Sequence, residues 1–334
     1  MIGIPYRRKR GTPGRGPRRS LLGATLCLVL VLVPTSAGLS ATSAKGGSAL
    51  TSVNIAVLPV EPTAQAFYAK HRGFFRRQGI DAKITVLSDP AQIAAAVLSG
   101  DAQFSSFNTG GIAVLKSRGA PVKVVAAGAL YRPRAPTTAL VAARGKRITR
   151  PRDLVGKRVA IDRPNTLAHI GLLKWMRRNG LSADDVQFTE LPFAQMLEPL
   201  RRGDVDAAVL PEPFLTLATQ RGGARRVAHI FNAVCARDCL LTFFLARRDV
   251  DADLAARFRN AIQAAAVWAN QKKNQAASGA ILARYAPIDK AVIRKMTRTS
   301  FSPRLRPGPA QPWIDVFAEF KVIPESFRAI DLVK

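Results

Sequence analysis

The amino-acid sequence predicts an α/β protein built in two lobes. Short runs of β-branched residues alternate with helical patterns, as they do in proteins whose sheets are mostly parallel. This series begins near Val53 and starts again near Arg158, which indicates two βα units in one chain. After residue 246 the pattern is helical, and this predicts a helical C-terminal part.

The first 44 residues have the pattern of an export signal. A basic segment at residues 1–19 precedes thirteen apolar residues at 21–33, and small residues follow Pro34. The apolar run is shorter than the roughly 20 residues that a membrane-spanning helix needs. We therefore predict that the segment is cleaved after Ala37 or Ala44, and a retained N-terminal anchor is the alternative.

The first series of elements occupies residues 53–143. Each predicted helix stops at a glycine, because glycine adopts the left-handed backbone that ends helices. The predicted strands are 53–58, 82–87, 102–106, 122–127 and 139–143. The predicted helices are 63–78, 90–98 and 109–117, followed by Gly79, Gly100 and Gly119.

The second series repeats this organisation and leads into the C-terminal helices. Its predicted strands are 158–161, 186–191, 207–210, 227–231 and 241–246, and its predicted helices are 167–178, 194–201 and 214–220. Apolar residues then recur at helical spacing from Leu254 to Trp268, which predicts an amphipathic helix packed on the sheets. Further helices are predicted at 281–285, 289–296 and 312–320. Two βα lobes with a helical tail are typical of a hinged binding protein.

Composition and charge limit the possible classes of function. Of the 334 residues, 48% are hydrophobic and 22% are charged, which excludes collagen, coiled coil and wholesale disorder. The formal net charge is +29, and without the seven bases of residues 1–44 it is still +22. A basic body suits nucleic acid, anionic lipid or anionic small molecules. Because the bases are scattered and no binding module is present, we predict no nucleic-acid partner.

The predicted export places the remaining cysteines in an oxidising compartment. Cys27 lies in the export segment, and Leu26 precedes it where a lipoprotein signal has a small residue, so we expect a protein that is not lipidated. Cys235 and Cys239 remain in the sequence CARDC, close enough to form a disulfide across a tight turn. Two free buried thiols are the alternative. No second Cys or His pair has metal-ligand spacing, so we expect no metal and no cofactor.

Four motifs in chain order resemble one known family. They are QAFYAKHRGFFRRQGID at 65–81, GDAQF at 100–104, DLVGKRVAI at 153–161 and RGDVDAAVLPEPF at 202–214. Together they resemble the periplasmic substrate-binding proteins of ABC importers for nitrate, sulfonates, taurine and thiamine-pyrimidine precursors. The resemblance extends over residues 53–332.

The resemblance implies a two-lobe fold of the type II periplasmic binding protein kind. In this fold a ligand is held between the lobes, and two crossing strands form the hinge. We expect those strands near residues 137–143 and 239–247. The implied organisation is an export signal at 1–44, the first part of lobe one at 45–140, lobe two at 141–240, and the second part of lobe one with the C-terminal helices at 241–334.

Ligands of open α/β sheets bind at the carboxyl ends of strands, and this rule nominates two loops of the first lobe. The candidate ligand-binding residues in these loops are Glu61, Thr63, Ser106, Phe107, Asn108 and Thr109. Ser106 or Asn108 would cap the following helix, whose free N–H groups and positive dipole end suit an anion. An ordinary helix cap is the alternative for Thr63.

The same rule nominates three loops of the second lobe. Its candidate residues are Asn165, Thr166, Phe193 and Glu212, and Thr138 is a further candidate at the start of the first predicted crossing strand. The resemblance implies that the turn containing Asn165 and Thr166 holds oxyanions or carboxylates. It also implies that Glu212 accepts hydrogen bonds from a ligand amine, with a helix cap as the alternative. A core position is the alternative for Phe193.

The resemblance implies a non-catalytic, periplasmic solute-binding component of an ABC importer that delivers its solute to a permease. We expect a monomer. Two helix N-termini and the basic body favour an anionic solute, whereas Glu212 and nearby phenylalanines favour an amine or a ring. A zwitterion, such as an aminosulfonate, would satisfy both features. The alternative is an enzyme of thiamine-pyrimidine synthesis, but the CCCFC-type run of that related group is absent.

Overall fold

Two five-stranded sheets and one three-stranded sheet organise the residues that the computed structural model describes, which are 49–286 and 288–333. The predicted export segment at 1–44 lies outside these residues. Within the described ranges, no helix has both the length and the apolar character that crossing a membrane requires.

Thirteen strands form these sheets, and most follow the β-branched runs of the sequence. They are β1 (Thr51–Val57), β2 (Ile80–Val86), β3 (Phe104–Asn108), β4 (Val122–Ala127), β5 (Ala129–Tyr131), β6 (Thr138–Ala142), β7 (Lys157–Ile161), β8 (Val186–Glu190), β9 (Ala207–Pro211), β10 (Arg225–Ala228), β11 (Cys239–Leu240), β12 (Thr242–Arg247) and β13 (Ser300–Phe301).

Eleven α-helices of the described chain flank the strands. They are α1 (Gln65–His71), α2 (Phe74–Arg77), α3 (Pro90–Ser99), α4 (Thr109–Ser117), α5 (Leu167–Arg178), α6 (Leu197–Arg202), α7 (Phe214–Arg221), α8 (Ala252–Ala269), α9 (Gln275–Leu282), α10 (Lys290–Lys295) and α11 (Gln311–Glu319).

The two large sheets confirm the predicted α/β class with two lobes. The first has the order β2-β1-β3-β12-β4, and β1 pairs in parallel with β2 and β3. The second has the order β10-β6-β9-β7-β8, and β7 pairs in parallel with β8 and β9. In each sheet an antiparallel strand follows the parallel ones, β12 beside β3 and β6 beside β9.

The chain crosses between the large sheets twice, and the crossings meet in the small sheet. It leaves β4 through β5 to reach β6, and it returns from β10 through β11 to reach β12. β5 pairs with both β11 and β13. The prediction for the first crossing strand was therefore too late, because residues 138–142 form a fully buried strand inside the second sheet. The boundaries of the lobes at residues 140 and 240 stay predictions.

Two predicted helices differ from the structure for local reasons. The helix predicted at 63–78 is divided into α1 and α2, because Gly73 lies between them with a φ of 70°. The helix predicted at 281–285 forms earlier, as α9. By contrast, the predicted amphipathic helix is α8, and its Phe258 ring stacks on Phe104 of β3 with the ring centroids 3.8 Å apart. This contact packs α8 against the first sheet.

Candidate functional site

A cavity lies at the edge where the loops of the two large sheets meet. Its empty volume is about 660 Å³, part of which is open to solvent. β3 and β9 end at this cavity with Asn108 and Pro211, and the antiparallel strands β6 and β12 begin there with Thr138 and Thr242. The carboxyl ends of parallel strands from both sheets therefore meet at one site, as expected for ligand binding in open α/β sheets.

Seven of the eleven predicted ligand-binding residues line this cavity. They are Thr63, Ser106, Phe107, Asn108, Thr138, Thr166 and Phe193. The first four belong to loops or strands of the first sheet, and the last three belong to the second. The structure therefore brings residues from both halves of the chain into one cleft.

Two of these polar residues cap helices at the cavity. The Asn108 Oδ1 accepts a hydrogen bond from Gly111 N of α4 at 2.7 Å. The Thr166 Oγ1 accepts one from His169 N of α5 at 3.4 Å. Because α4 and α5 begin at the cavity, the positive ends of both helix dipoles face it. Asn108 and Thr166 therefore cap their helices, as the sequence predicted, and also line the cavity.

Ser106 belongs to the cavity wall, and the hydrogen-bonding capacity of its hydroxyl is unused among the described residues. Ser106 is buried, and its Oγ has no hydrogen-bond partner among the described residues. Thr63 differs, because its Oγ1 donates to Val60 O at 2.9 Å and is occupied within its own loop. A buried hydroxyl without a partner costs free energy, and a bound molecule would supply the missing bond.

Glu61 does not line the cavity, contrary to the prediction. Its carboxylate is fully buried, and it accepts hydrogen bonds from Arg298 Nε at 2.9 Å and from the Tyr68 hydroxyl at 3.1 Å. Burial raises the pKa of Glu61, and the Arg298 guanidinium opposes this change. The rule that ligands bind at the carboxyl ends of strands does not apply to Glu61, because its carboxylate pairs with Arg298, which lies 237 residues further along the chain.

Glu212 also lies outside the cavity lining and is fully buried. Its Oε2 accepts a hydrogen bond from Thr216 N at 3.1 Å, and its Oε1 accepts from Thr216 Oγ1 at 2.8 Å and Thr297 N at 3.3 Å. Burial raises the pKa of Glu212 to about 7. The geometry is that of a cap on α7, which was the alternative, and not of a side chain exposed to a solute.

The remaining two candidates also have structural contacts. Thr109 is buried, and its Oγ1 donates to Leu240 O at 2.8 Å. Asn165 has a φ of 60°, and its backbone N–H donates to the Nδ1 of His169 at 3.1 Å. Neither residue lines the cavity. They shape the turns that carry Asn108 and Thr166.

Sequence reasoning nominated the loop at 162–166 without naming Asp162 as a ligand-binding residue, and it did not single out several apolar residues of the lining. Asp162 follows β7 and lines the cavity, and Phe231 forms part of its apolar wall with Leu58, Leu167 and Leu241. Burial raises the pKa of Asp162 to about 6. Its position directly after a strand was the available signal, whereas nothing in the local sequence distinguishes Phe231.

Cys235 and Cys239 form a disulfide, with their Cα atoms 5.9 Å apart. The bridge closes the turn that enters β11, one of the two crossing strands. Among the described residues, no group of three or more His, Cys, Asp or Glu side chains is arranged to hold a metal ion.

Comparisons with known proteins identify the family and the fold. Residues 62–276 match the family described as NMT1/THI5 like. The taurine-binding periplasmic protein of Escherichia coli is 29% identical over 132 residues, which are 40% of this chain and 39% of that protein. The match therefore spans about two fifths of the length of this relative.

Two solved structures share the fold at low sequence identity. The alkanesulfonate-binding protein SsuA from Xanthomonas axonopodis, bound to MOPS, has a TM-score of 0.70 at 18% identity, covering 85% of this chain and 98% of that one. The periplasmic nitrate-binding protein NrtA from Synechocystis has a TM-score of 0.72 at 14% identity, covering 85% of both chains. These similarities show that the chain has the periplasmic binding protein fold.

Proposed function

Because the chain belongs to the NMT1/THI5-like family, we propose that it is the solute-binding component of an ABC-type importer. The cavity is the observation that carries this proposal, since it lies between loops of two sheets and a small solute there contacts both lobes. A solute that contacts both lobes only in the closed form shifts the population towards that form. The membrane permease then receives the solute from the closed protein.

The similar proteins support a small polar solute and a periplasmic location. They are named for binding taurine, an alkanesulfonate and nitrate, and two of them are described as periplasmic. The export pattern in residues 1–44 agrees with that location. In this proposal the mature protein is a monomer that works outside the cytoplasmic membrane and is not lipidated.

The proposal includes no catalytic step. Ser106 is a hydroxyl in the cavity, but its Oγ has no hydrogen-bond partner in the described chain, and the described lining contains no His, Lys or Cys. A serine nucleophile needs an adjacent base to be activated. Together with the absence of a CCCFC-type run, this supports binding over thiamine-pyrimidine synthesis.

Two neighbouring serines provide the test. Ser105 and Ser106 are both buried on β3, and both hydroxyls lack a partner among the described residues, but only Ser106 lines the cavity. The secreted protein is titrated with taurine, ethanesulfonate and nitrate, and binding is followed by calorimetry and thermal melting. We expect at least one of these solutes to bind. Ser106→Ala should weaken that binding about three- to ten-fold, the value of one neutral hydrogen bond, and Ser105→Ala should not.

Two results would contradict the proposed function. One is that none of the three solutes binds to the wild-type protein. The other is that a solute binds but Ser105→Ala and Ser106→Ala change its affinity equally, which would place the binding outside this cavity. Both variants keep the backbone of β3, so their unliganded melting temperatures serve as the check that each has folded.

A further inference from the structure

The charges around the cavity differ from those expected for a simple anion-binding site. Asp162 is the only acidic side chain among the described residues that line the cavity, and none of those residues is Lys, Arg or His. His169 lies nearby in the first turn of α5, but burial lowers its pKa to about 4, so its ring is neutral at pH 7. The one full side-chain charge in the described lining is therefore negative.

The Asp162 carboxylate forms no direct ion pair among the described residues, although the nearby charge of Arg163 favours its ionised form. Its Oδ1 accepts a hydrogen bond from Thr166 Oγ1 at 2.7 Å, and the backbone N–H groups of Arg163 and of Asp162 itself also donate to the carboxylate. The neighbouring Arg163 forms its ion pair with Asp89, a residue that precedes α3, at 2.9 Å. Two carboxylate oxygens offer about four acceptor sites, so Asp162 keeps the capacity to bind a donor from a solute.

The apolar lining of the cavity favours a cationic donor for Asp162 over a neutral one. Phe107, Phe193 and Phe231 contribute aromatic rings to the cavity. In such apolar surroundings a carboxylate is poorly solvated, and a cationic donor compensates for the lost water better than a neutral one. Burial raises the pKa of Asp162 to about 6, which leaves the carboxylate largely ionised at neutral pH.

We propose that Asp162 is a specificity-determining residue that binds a protonated amine of the solute, while the phenylalanines contact its apolar part. This inference rests on the proposed function, because it concerns the same cavity. It transfers the amine-binding role expected of Glu212 to a carboxylate that lines the cavity. The unpartnered Ser106 hydroxyl is available for a second polar group of the solute, and the two helix N-termini accommodate an anionic group if the solute is a zwitterion.

Matched pairs of compounds test the inference. Taurine and isethionate differ only by an amine in place of a hydroxyl, and so do benzylamine and benzyl alcohol. Calorimetry at pH 7.5 measures all four with the wild-type protein. We expect the amine of at least one pair to bind about ten- to hundred-fold more tightly than its hydroxyl partner, as for a charge-assisted hydrogen bond.

Asp162→Asn should abolish this preference, because the amide keeps an acceptor for Thr166 but carries no charge. Asp204→Asn is the matched control, since Asp204 is exposed in the same half of the chain and its ion pair within the described ranges is with Arg202. The preference is a ratio measured within one protein, so a change in the stability of a variant does not alter it. The wild-type ratio alone tests the proposal if Asp162→Asn does not fold.

The outcomes separate this inference from the proposed function. If the hydroxyl member of each pair binds as tightly as the amine, or if Asp162→Asn keeps the preference, the assignment of Asp162 is wrong while solute binding stands. If none of the four compounds binds, the assignment is also wrong. The proposed function fails if ethanesulfonate and nitrate do not bind either, or if Ser105→Ala and Ser106→Ala change the affinity for a bound solute equally.

Discussion

Replacing Glu212 by glutamine removes a carboxyl group whose ionisation the fold disfavours. Burial raises the pKa of Glu212 from 4.5 to about 7, the negative charge of Glu61 acts in the same direction, and hydrogen bonds from Thr216 and Thr297 oppose them. In the unfolded chain the Glu212 carboxyl loses its proton at a lower pH than in the folded protein. The free energy of unfolding therefore decreases as the pH rises from about 4.5 through 7. The difference between the two pKa values corresponds to about 3 kcal/mol of unfolding free energy.

Urea unfolding at pH 5 and pH 8 measures this effect. Glutamine resembles the protonated carboxyl in shape and charge, so Glu212→Gln should gain about 2.5 kcal/mol relative to the wild-type protein between the two pH values, because part of the effect is already present at pH 5. Glu198→Gln is the control, because that side chain is 58% exposed and belongs to a surface ion pair. The reasoning is refuted if the free-energy difference between Glu212→Gln and wild type is the same at both pH values. Solute affinity should not change, since Glu212 does not line the cavity.

Two further predictions concern the link between the halves of the molecule. Arg163→Ala removes the partly exposed ion pair between Arg163 and Asp89, so we expect the affinity for a solute to fall less than about five-fold. We also expect X-ray scattering of the unliganded variant to give a larger radius of gyration than for the wild-type protein. An unchanged radius would contradict the view that this ion pair links the two halves. Replacing Cys235 and Cys239 together by serine should cost about 2 kcal/mol of unfolding free energy, because the bridge closes a short loop. Thiol titration of the denatured secreted protein without reductant should find no free thiol, and two free thiols would refute the bridge.

The parts of the site that depend on local sequence were predictable, and those that depend on distant partners were not. Asn108 ends β3, Thr166 lies in the loop after β7, and both directly precede helices, so both their capping role and their place at the strand ends could be inferred. Glu61 and Glu212 also follow strands, but their partners Arg298 and Thr297 are 237 and 85 residues away in sequence. Whether such a carboxylate is hydrated or buried depends on tertiary packing.

Burial also explains the error in the first crossing strand. Residues 138–142 are apolar and β-branched in part, which suits either a hinge strand or an interior strand. The structure uses them as β6, a fully buried strand between β9 and β10. The chain instead crosses between the sheets through β5. This strand has only three residues, which are too few to show the alternating pattern by which a strand is predicted from sequence.

The acidic residues outside and inside the cavity have separable roles. Glu61 N donates a hydrogen bond to Glu212 O at 3.0 Å, so a backbone contact joins the loop after β1 to the end of β9. Neither Glu61 nor Glu212 belongs to the cavity lining. Asp162 instead faces the cavity, where its charge can change the affinity for a solute. Substitution of Glu212 should therefore alter unfolding free energy with little effect on affinity, and substitution of Asp162 should alter selectivity among solutes.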